Sequence, residues 1–218
     1  MHKIIDNLEG IKNKLKQLKP ENNQIPKIIA VSKTFSMDTI LPLVKYGHTH
    51  FGENKVQEAL EKWPKIKESY PSLKLHMLGK IQSNKVKFLL PLFDYLHSLD
   101  NIKIAERISL EEKKINKKLK IFIQINIGNE PQKSGVNIED LREFYLNCIR
   151  QFNLNIVGLM CLPPATIDPR KYFILLKEMS EQLNLKELSM GMSNDYIDAT
   201  ECGASYLRIG SKIFGKRV

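Results

Sequence analysis

Lys33 occupies an unusual place for an amine, two residues after the apolar run 28–31 in the segment KIIAVSKTF. Lysine is rarely buried without a partner, so this side chain either reaches out to solvent or serves as a nucleophile. Two glycine–serine segments, SMGMSND (189–195) and RIGSKIFG (208–215), have the composition of anion-binding turns. Glycine permits a tight turn, and backbone amides at such turns bind phosphate. Each segment taken alone is also compatible with an ordinary turn.

An amine and a phosphate site at one end of a fold would together suit pyridoxal 5′-phosphate (PLP). Its aldehyde condenses with a lysine amine, and its phosphate needs a cradle. Arg208 supplies a third group, because it precedes Gly210 by two residues on an apolar segment and the two positions face the same way. A guanidinium there would donate a hydrogen bond to the ring nitrogen of PLP, although an interior salt bridge is the alternative interpretation. These residues form a site only if the fold brings them together.

Short apolar segments alternate with amphipathic ones along the chain, and this alternation predicts parallel strands joined by helices. The predicted strands are 27–33, 48–52, 74–78, 94–98, 120–127, 155–161, 187–191 and 206–210. The predicted helices are 37–46, 54–62, 83–90, 101–117, 137–151, 168–184 and 194–202, with one loop at 162–169. Eight such repeats indicate an α/β fold, a single (β/α)₈ TIM barrel, whose functional residues lie in the loops after the strands. An additional amphipathic N-terminal helix is expected to complete the outer ring of helices.

The composition limits the class of protein. The 218 residues are 42% hydrophobic and 27% charged, which fits one soluble domain spanning residues 1–218. No apolar run approaches the ~18 residues that would suggest a membrane span. The 3 cysteines are an odd number without a CxxC pair, which predicts a cytoplasmic protein with neither disulfides nor a zinc site.

The net charge of +10 makes nucleic-acid binding an alternative that must be weighed. The lysines are spread through helical segments such as EEKKINKKLK (111–120), where they mix with glutamate and asparagine. This pattern is typical of a solvated surface, so no nucleic-acid partner is predicted. A salt-sensitive gel shift would discriminate the two interpretations.

Several motifs that occur in order along nearly the whole chain carry a family resemblance. They are IIAVSKTF, FGENKVQEAL, HMLGKIQSNK, IQINIGNEPQKSG, GLMCLPP and LSMGMSNDYIDATECGASYLRIGSKIFGKR. In these motifs the chain resembles the pyridoxal phosphate homeostasis proteins, the YggS/PROSC family. The resemblance implies a single barrel like the N-terminal domain of alanine racemase, which is PLP fold type III. It also implies a PLP Schiff base (internal aldimine) on Lys33 and further cofactor-binding residues at Asn54, Met192, Ser193, Arg208, Gly210 and Ser211.

Two functions are compatible with this resemblance. In the first, the protein is a carrier and buffer in PLP (vitamin B6) homeostasis, without significant amino-acid turnover. In the second, it is a fold-type III enzyme, an amino-acid racemase or decarboxylase. Such enzymes need acid–base groups on both faces of the substrate. In alanine racemases the second group is a tyrosine from an additional domain of the partner subunit, and we expect no such domain here, because residue 218 is the last of this sequence.

The sequence therefore favours a non-catalytic PLP-binding protein. Tyr196 and Tyr206 are weak candidates for a substitute acid, because the first is expected to begin a helix and the second to lie at the far end of its strand. In the racemases, the additional domain makes the contact between the two subunits of the dimer. Because no such domain is expected here, a monomer is expected. Binding of other B6 vitamers and transient contact with apo PLP-dependent enzymes remain open.

Overall fold

The computed structural model describes residues 2–18, 24–164 and 168–215, and in them a parallel sheet closes into a barrel. The strands are β1 (Lys27–Val31), β2 (His50–Glu53), β3 (Lys74–Met77), β4 (Tyr95–Leu99), β5 (Lys120–Ile125), β6 (Ile156–Cys161), β7 (Glu187–Ser189) and β8 (Tyr206–Ile209). Each strand pairs in parallel with the next, and β1 pairs with β8 so that Ile29 lies opposite Arg208. The predicted (β/α)₈ barrel is confirmed.

Helices follow the strands on the outside of the barrel. They are α1 (Lys3–Gln17), α2 (Met37–Lys45), α3 (Val56–Lys62), α4 (Pro64–Ser69), α5 (Val86–Leu92), α6 (Ile102–Ile115), α7 (Leu141–Leu146), α8 (Arg170–Gln182), α9 (Tyr196–Glu201) and α10 (Ser211–Phe214). Two of these, α4 and α10, are absent from the sequence-based prediction. Pro64 lies in the first turn of α4, where a missing amide hydrogen costs little. The predicted helix 137–151 ends as a short π-helix at 147–151.

The strands that carry the predicted site end earlier than expected. β1 ends at Val31, and β7 ends at Ser189. The chain after β7 still pairs with β8, because the amide of Arg208 donates to the carbonyl oxygen of Gly191 at 2.9 Å. Lys33 and Gly191 therefore lie in the loops after the strands. The predicted loop 162–169 includes residues that lie outside the described part of the chain.

Helix α1 completes the outer ring, as expected from its amphipathic pattern. Its apolar face is buried and consists of Ile4, Leu8, Ile11 and Leu15. It contacts both α10 and α2, and the side-chain amide of Asn7 donates to the carbonyl oxygen of Ile213 at 2.9 Å. Because α10 is a single turn, α1 covers the part of the barrel wall that a longer final helix would otherwise cover.

Two apolar clusters form the core. The larger one lies between the strands and the helices, and the smaller one fills the barrel interior with Ile29, Tyr95, Phe122, Met160 and Tyr206. In the described part of the chain, no helix is both long and apolar enough to span a membrane.

The three cysteines are buried, and none of them forms a disulfide: Cys148, Cys161 and Cys202. Burial raises the pKa of Cys148 and of Cys161 to about 12. Because the thiolate is the reactive form, neither of these two is a nucleophile near neutral pH. Among the described residues, no group of three or more His, Cys, Asp or Glu side chains is arranged to hold a metal ion.

Candidate functional site

A cavity of about 830 Å³ opens at the C-terminal ends of the strands. All of the predicted cofactor-binding residues line it: Lys33, Asn54, Met192, Ser193, Arg208, Gly210 and Ser211. They come from β8 and from the loops after β1, β2, β7 and β8, so closure of the barrel brings together residues that are distant in sequence. The volume is in the range of pockets that bind small cofactors.

Hydrogen bonds on both sides of Lys33 hold its loop. The hydroxyl of Ser32 is buried and donates to Oε1 of Glu53 at 2.8 Å. The amide of Thr34 donates to Oε1 of Glu58 at 2.5 Å. Thr34 has a φ of +70°, which a β-branched residue rarely adopts. The loop is thus held in a strained conformation at the residue that follows the candidate nucleophile.

Lys62, at the end of α3, binds the loop that carries Lys33 through hydrogen bonds and ion pairs. Its Nζ donates to the backbone oxygens of Ser32 at 3.1 Å and Phe35 at 3.2 Å. It also forms ion pairs with Oε1 of Glu53 at 2.8 Å and Oε1 of Glu58 at 2.9 Å. Burial raises the pKa of Glu53, although the hydrogen bond from Lys62 opposes this. This network was not predicted from the sequence, where its one local signal is the i, i+4 spacing of Glu58 and Lys62.

The guanidinium of Arg208 is fixed at the base of the cavity and is only 5% exposed. Its Nη1 donates to Oγ of Ser189 at 2.6 Å, and its Nη2 donates to the carbonyl oxygen of Cys161 at 2.7 Å. Burial lowers the pKa of Arg208. Both acceptors are neutral, and among the described residues they use two of the five N–H groups of a guanidinium. Arg208 is therefore held as a donor rather than as half of an interior salt bridge.

The loops after β7 and β8 meet at the cavity. Gly191 has a φ of +87°, and a Cβ there would lie 2.5 Å from Cβ of Ala199, so only glycine fits. Ser193 Oγ accepts a long hydrogen bond of 3.4 Å from the amide of Lys212. At Gly210, which precedes α10, a Cβ would lie 3.3 Å from the carbonyl oxygen of Val31.

The predicted helix 194–202 begins later than expected, so Ser193 is not its N-cap. Helix α9 begins at Tyr196, directly after Asp195. The carboxylate of Asp195 instead accepts a hydrogen bond of 2.6 Å from the amide of Met192, and this bond closes residues 192–195 into a turn of their own. The amide of Met192, a residue that the resemblance implies to bind the cofactor, is therefore hydrogen-bonded to Asp195.

Both signs of charge line the cavity. Among the described residues, Lys33 and Arg208 are its cationic side chains, and Asp195 and Asp198 are its carboxylates. Asp198 is also paired with Arg170, with 3.2 Å between Oδ1 and Nη1.

Three histidines inside the barrel were also missed. His50, His76 and His97 lie on the consecutive strands β2, β3 and β4. Burial lowers the pKa of His50 to about 4 and the pKa of His76 and His97 well below 6.5, so all three are neutral at pH 7. The signal in the sequence is that each of the strand segments HTHFG, LKLHM and DYLHS contains histidine, two in the first and one in each of the others.

Comparison with known proteins identifies the family. Residues 6–218 match the family described as alanine racemase, N-terminal domain. The chain is 36% identical over 200 residues to the pyridoxal phosphate homeostasis protein of Aquifex aeolicus, covering 88% of this chain and 87% of that protein. The structure of PipY from Synechococcus elongatus PCC7942 with PLP bound superimposes with a TM-score of 0.85 at 32% identity, covering 97% of this chain and 100% of PipY.

Alanine racemase of Clostridium difficile 630 shares the fold alone. It is 14% identical, with a TM-score of 0.76, and the match covers 98% of this chain but 56% of the racemase. The resemblance seen in the sequence motifs is confirmed, and the chain belongs to the pyridoxal phosphate homeostasis proteins, a family built on the alanine racemase N-terminal domain.

Proposed function

We propose that the protein binds PLP in the cavity at the C-terminal mouth of the barrel, with the amine of Lys33 holding the cofactor covalently. The observation that carries this proposal is that Lys33, Arg208 and the loops after β7 and β8 line one cavity. When bound, PLP supplies an aldehyde that condenses with an amine and a ring that withdraws electrons.

The residues of the cavity fit the parts of PLP. Arg208 donates and cannot accept, so it suits an unprotonated ring nitrogen. The hydroxyls of Ser193 and Ser211 can donate charge-assisted hydrogen bonds to a phosphate, and the backbone at Gly210 allows a close approach. The relatives support the same cofactor, because PipY carries PLP in its structure and the Aquifex aeolicus protein is named for PLP homeostasis.

We further propose that the protein stores PLP and passes it on, with little or no turnover of amino acids. Among the described residues that line the cavity there is no tyrosine, histidine or cysteine. Its two carboxylates are already hydrogen-bonded, Asp195 to the Met192 amide and Asp198 to Arg170. The described residues that line the cavity therefore offer no unengaged acid–base group opposite Lys33, and such a group is worth about 10²–10⁴-fold in rate. A ring nitrogen that Arg208 keeps unprotonated also makes the ring a weaker electron sink.

Partners and location are part of the proposal. We expect a monomeric, cytoplasmic protein that meets apo PLP-dependent enzymes transiently and binds no nucleic acid. Binding of other B6 vitamers would follow from the same cavity wherever they share the ring and the phosphate.

The test of the covalent site is reduction with borohydride followed by peptide mapping. We expect the pyridoxyl group on Lys33 and the loss of this label in Lys33→Ala. Lys80→Ala is the control, because Lys80 is an exposed lysine in the loop after β3. The assignment is wrong if Lys33→Ala is labelled as strongly as the control.

A second experiment distinguishes a PLP carrier from a catalyst. The PLP-loaded protein is incubated with single L-amino acids while optical rotation and carbon dioxide release are followed, and in parallel it is mixed with an apo PLP-dependent enzyme. We expect activation of the apo enzyme and at most trace turnover. Turnover at ordinary enzyme rates without activation would favour a racemase or decarboxylase.

A further inference from the structure

A chain of hydrogen bonds crosses the barrel interior and ends on Arg208. Nδ1 of His50 lies 2.9 Å from Nε2 of His76, and Nδ1 of His76 lies 2.9 Å from Nε2 of His97. Nδ1 of His97 then lies 2.8 Å from Oγ of Ser189, which accepts the bond of 2.6 Å from Nη1 of Arg208. Barrel interiors are usually filled by branched aliphatic side chains, so this polar row is unusual.

The rings of this chain are held in place by packing as well. His76 stacks on Tyr95 with 4.2 Å between ring centroids, and His97 stacks on Phe122 at 4.3 Å. His76 and His97 are fully buried. Burial lowers the pKa of both, so each ring is neutral and carries one N–H. With two contacts per ring, each of these histidines donates on one side and accepts on the other.

Arg208 determines in which direction the hydrogen bonds of this row are donated. A guanidinium can only donate, so Oγ of Ser189 accepts from Arg208 and its own proton goes to Nδ1 of His97. His97 then carries its proton on Nε2 and donates to His76, which in the same way donates to His50. The reverse direction would leave the Ser189 proton without an acceptor among the contacts of the described residues. All three histidines are thus assigned the Nε2–H tautomer.

We propose that Ser189, His97, His76 and His50 are positioning residues, which hold the Arg208 guanidinium where it meets the ring nitrogen of the cofactor. This inference rests on the proposed PLP site. Hydrogen bonds that share one direction polarise one another, so a break near Arg208 has a larger effect than a break far from it. This chain of hydrogen bonds ends at His50, which lies beside Lys27, Lys74 and Lys120 at the N-terminal mouth of the barrel.

The first test uses the unmodified apoprotein and does not depend on PLP. Long-range ¹H–¹⁵N spectra of ¹⁵N-histidine-labelled protein at pH 7 report the tautomer of each ring. We expect the Nε2–H tautomer for His50, His76 and His97. Finding the Nδ1–H tautomer or a charged ring at His97 would overturn the inference.

The second test measures the contact between Arg208 and the ring nitrogen of PLP. The ¹⁵N chemical shift of ring-labelled PLP is compared between the wild type, Ser189→Ala and the control Ser109→Ala. Ser109 is also buried and hydrogen-bonded, but its partner is the carbonyl oxygen of Phe152 outside the barrel. We expect a changed ring-nitrogen shift and about tenfold weaker PLP binding in Ser189→Ala only. Equal shifts in the two variants would overturn the inference.

A graded series separates positioning from loss of folding. The effect on the ring-nitrogen shift should decrease from Ser189→Ala through His97→Phe to His50→Phe, and His97→Asn, which can still accept from Ser189, should recover part of it. An equal effect of all folded variants would contradict the proposal. If the wild type takes up no PLP, the proposed function fails, and the apoprotein tautomers decide the inference by themselves.

Discussion

Replacing Lys62 by methionine tests how the loop that carries Lys33 is held. The substitution removes the ion pairs with Glu53 and Glu58 and the donor to the backbone oxygens of Ser32 and Phe35. Methionine keeps most of the side-chain length, so the apolar part of the packing is largely retained.

The expected loss is large because the pair is buried. The Lys62 side chain is 12% exposed and that of Glu53 is 0% exposed. Removing one partner of a buried ion pair costs about 3–5 kcal/mol, and we expect the lower end because Ser32 and Trp63 still donate to Glu53. Removing both charges, in Glu53→Gln with Lys62→Met, should restore most of the stability.

The loss should also depend on pH. The pKa of Glu53 is already raised by burial, and the loss of Lys62 raises it further. The folded variant then binds a proton more tightly than the unfolded chain, so its stability falls as the pH rises from about 4.5, the ordinary value, through the raised folded pKa. The deficit relative to the wild type is therefore smallest at acid pH and largest near neutrality.

Urea unfolding and PLP titration measure both consequences. We expect PLP binding in Lys62→Met to weaken by at least about tenfold, because the loop loses two charge-assisted hydrogen bonds. Lys114→Met is the control, since this lysine is 61% exposed and its partner Glu111 keeps a second ion pair, with Arg107. An unfolding free energy and a PLP affinity equal to those of the control would refute the reasoning.

Three further predictions concern the loops after β7 and β8. Gly191→Ala should lower the free energy of unfolding by about 2 kcal/mol more than Gly203→Ala in urea titrations, because both have positive φ but only the first has a neighbouring side chain in the way; equal losses would contradict a steric cause. Gly210→Val should weaken PLP binding more than Ser211→Ala, because a side chain blocks the approach of the backbone while one hydroxyl contributes about 1–3 kcal/mol; negligible effects of both would put the phosphate elsewhere. Asp195→Asn keeps an acceptor for the Met192 amide but removes a negative charge from the cavity, so PLP should bind more tightly, and unchanged affinity would show that Asp195 does not face the phosphate.

The order of strands and helices could be predicted from the sequence because it rests on local patterns. Apolar segments of strand length alternate with amphipathic ones, and this periodicity needs no knowledge of distant contacts. The placement of Lys33 and Arg208 at the mouth followed from the same patterns, because the polar ends of parallel strands meet at one end of a barrel. The predicted ends of β1, β7 and α9 differ from those in the structure by one or two residues, since the ends of short elements depend on individual hydrogen bonds such as that of Asp195.

The contacts between elements, by contrast, depend on the tertiary structure. In the sequence, Lys62 resembles any other lysine of a helix. It holds the Lys33 loop only because α3 packs against β2, next to the loop that follows β1. In the sequence, His50, His76 and His97 are isolated residues on three separate strands. They form one chain because barrel closure and strand register place their rings at hydrogen-bonding distance, and register depends on pairing across the whole sheet rather than on any local segment.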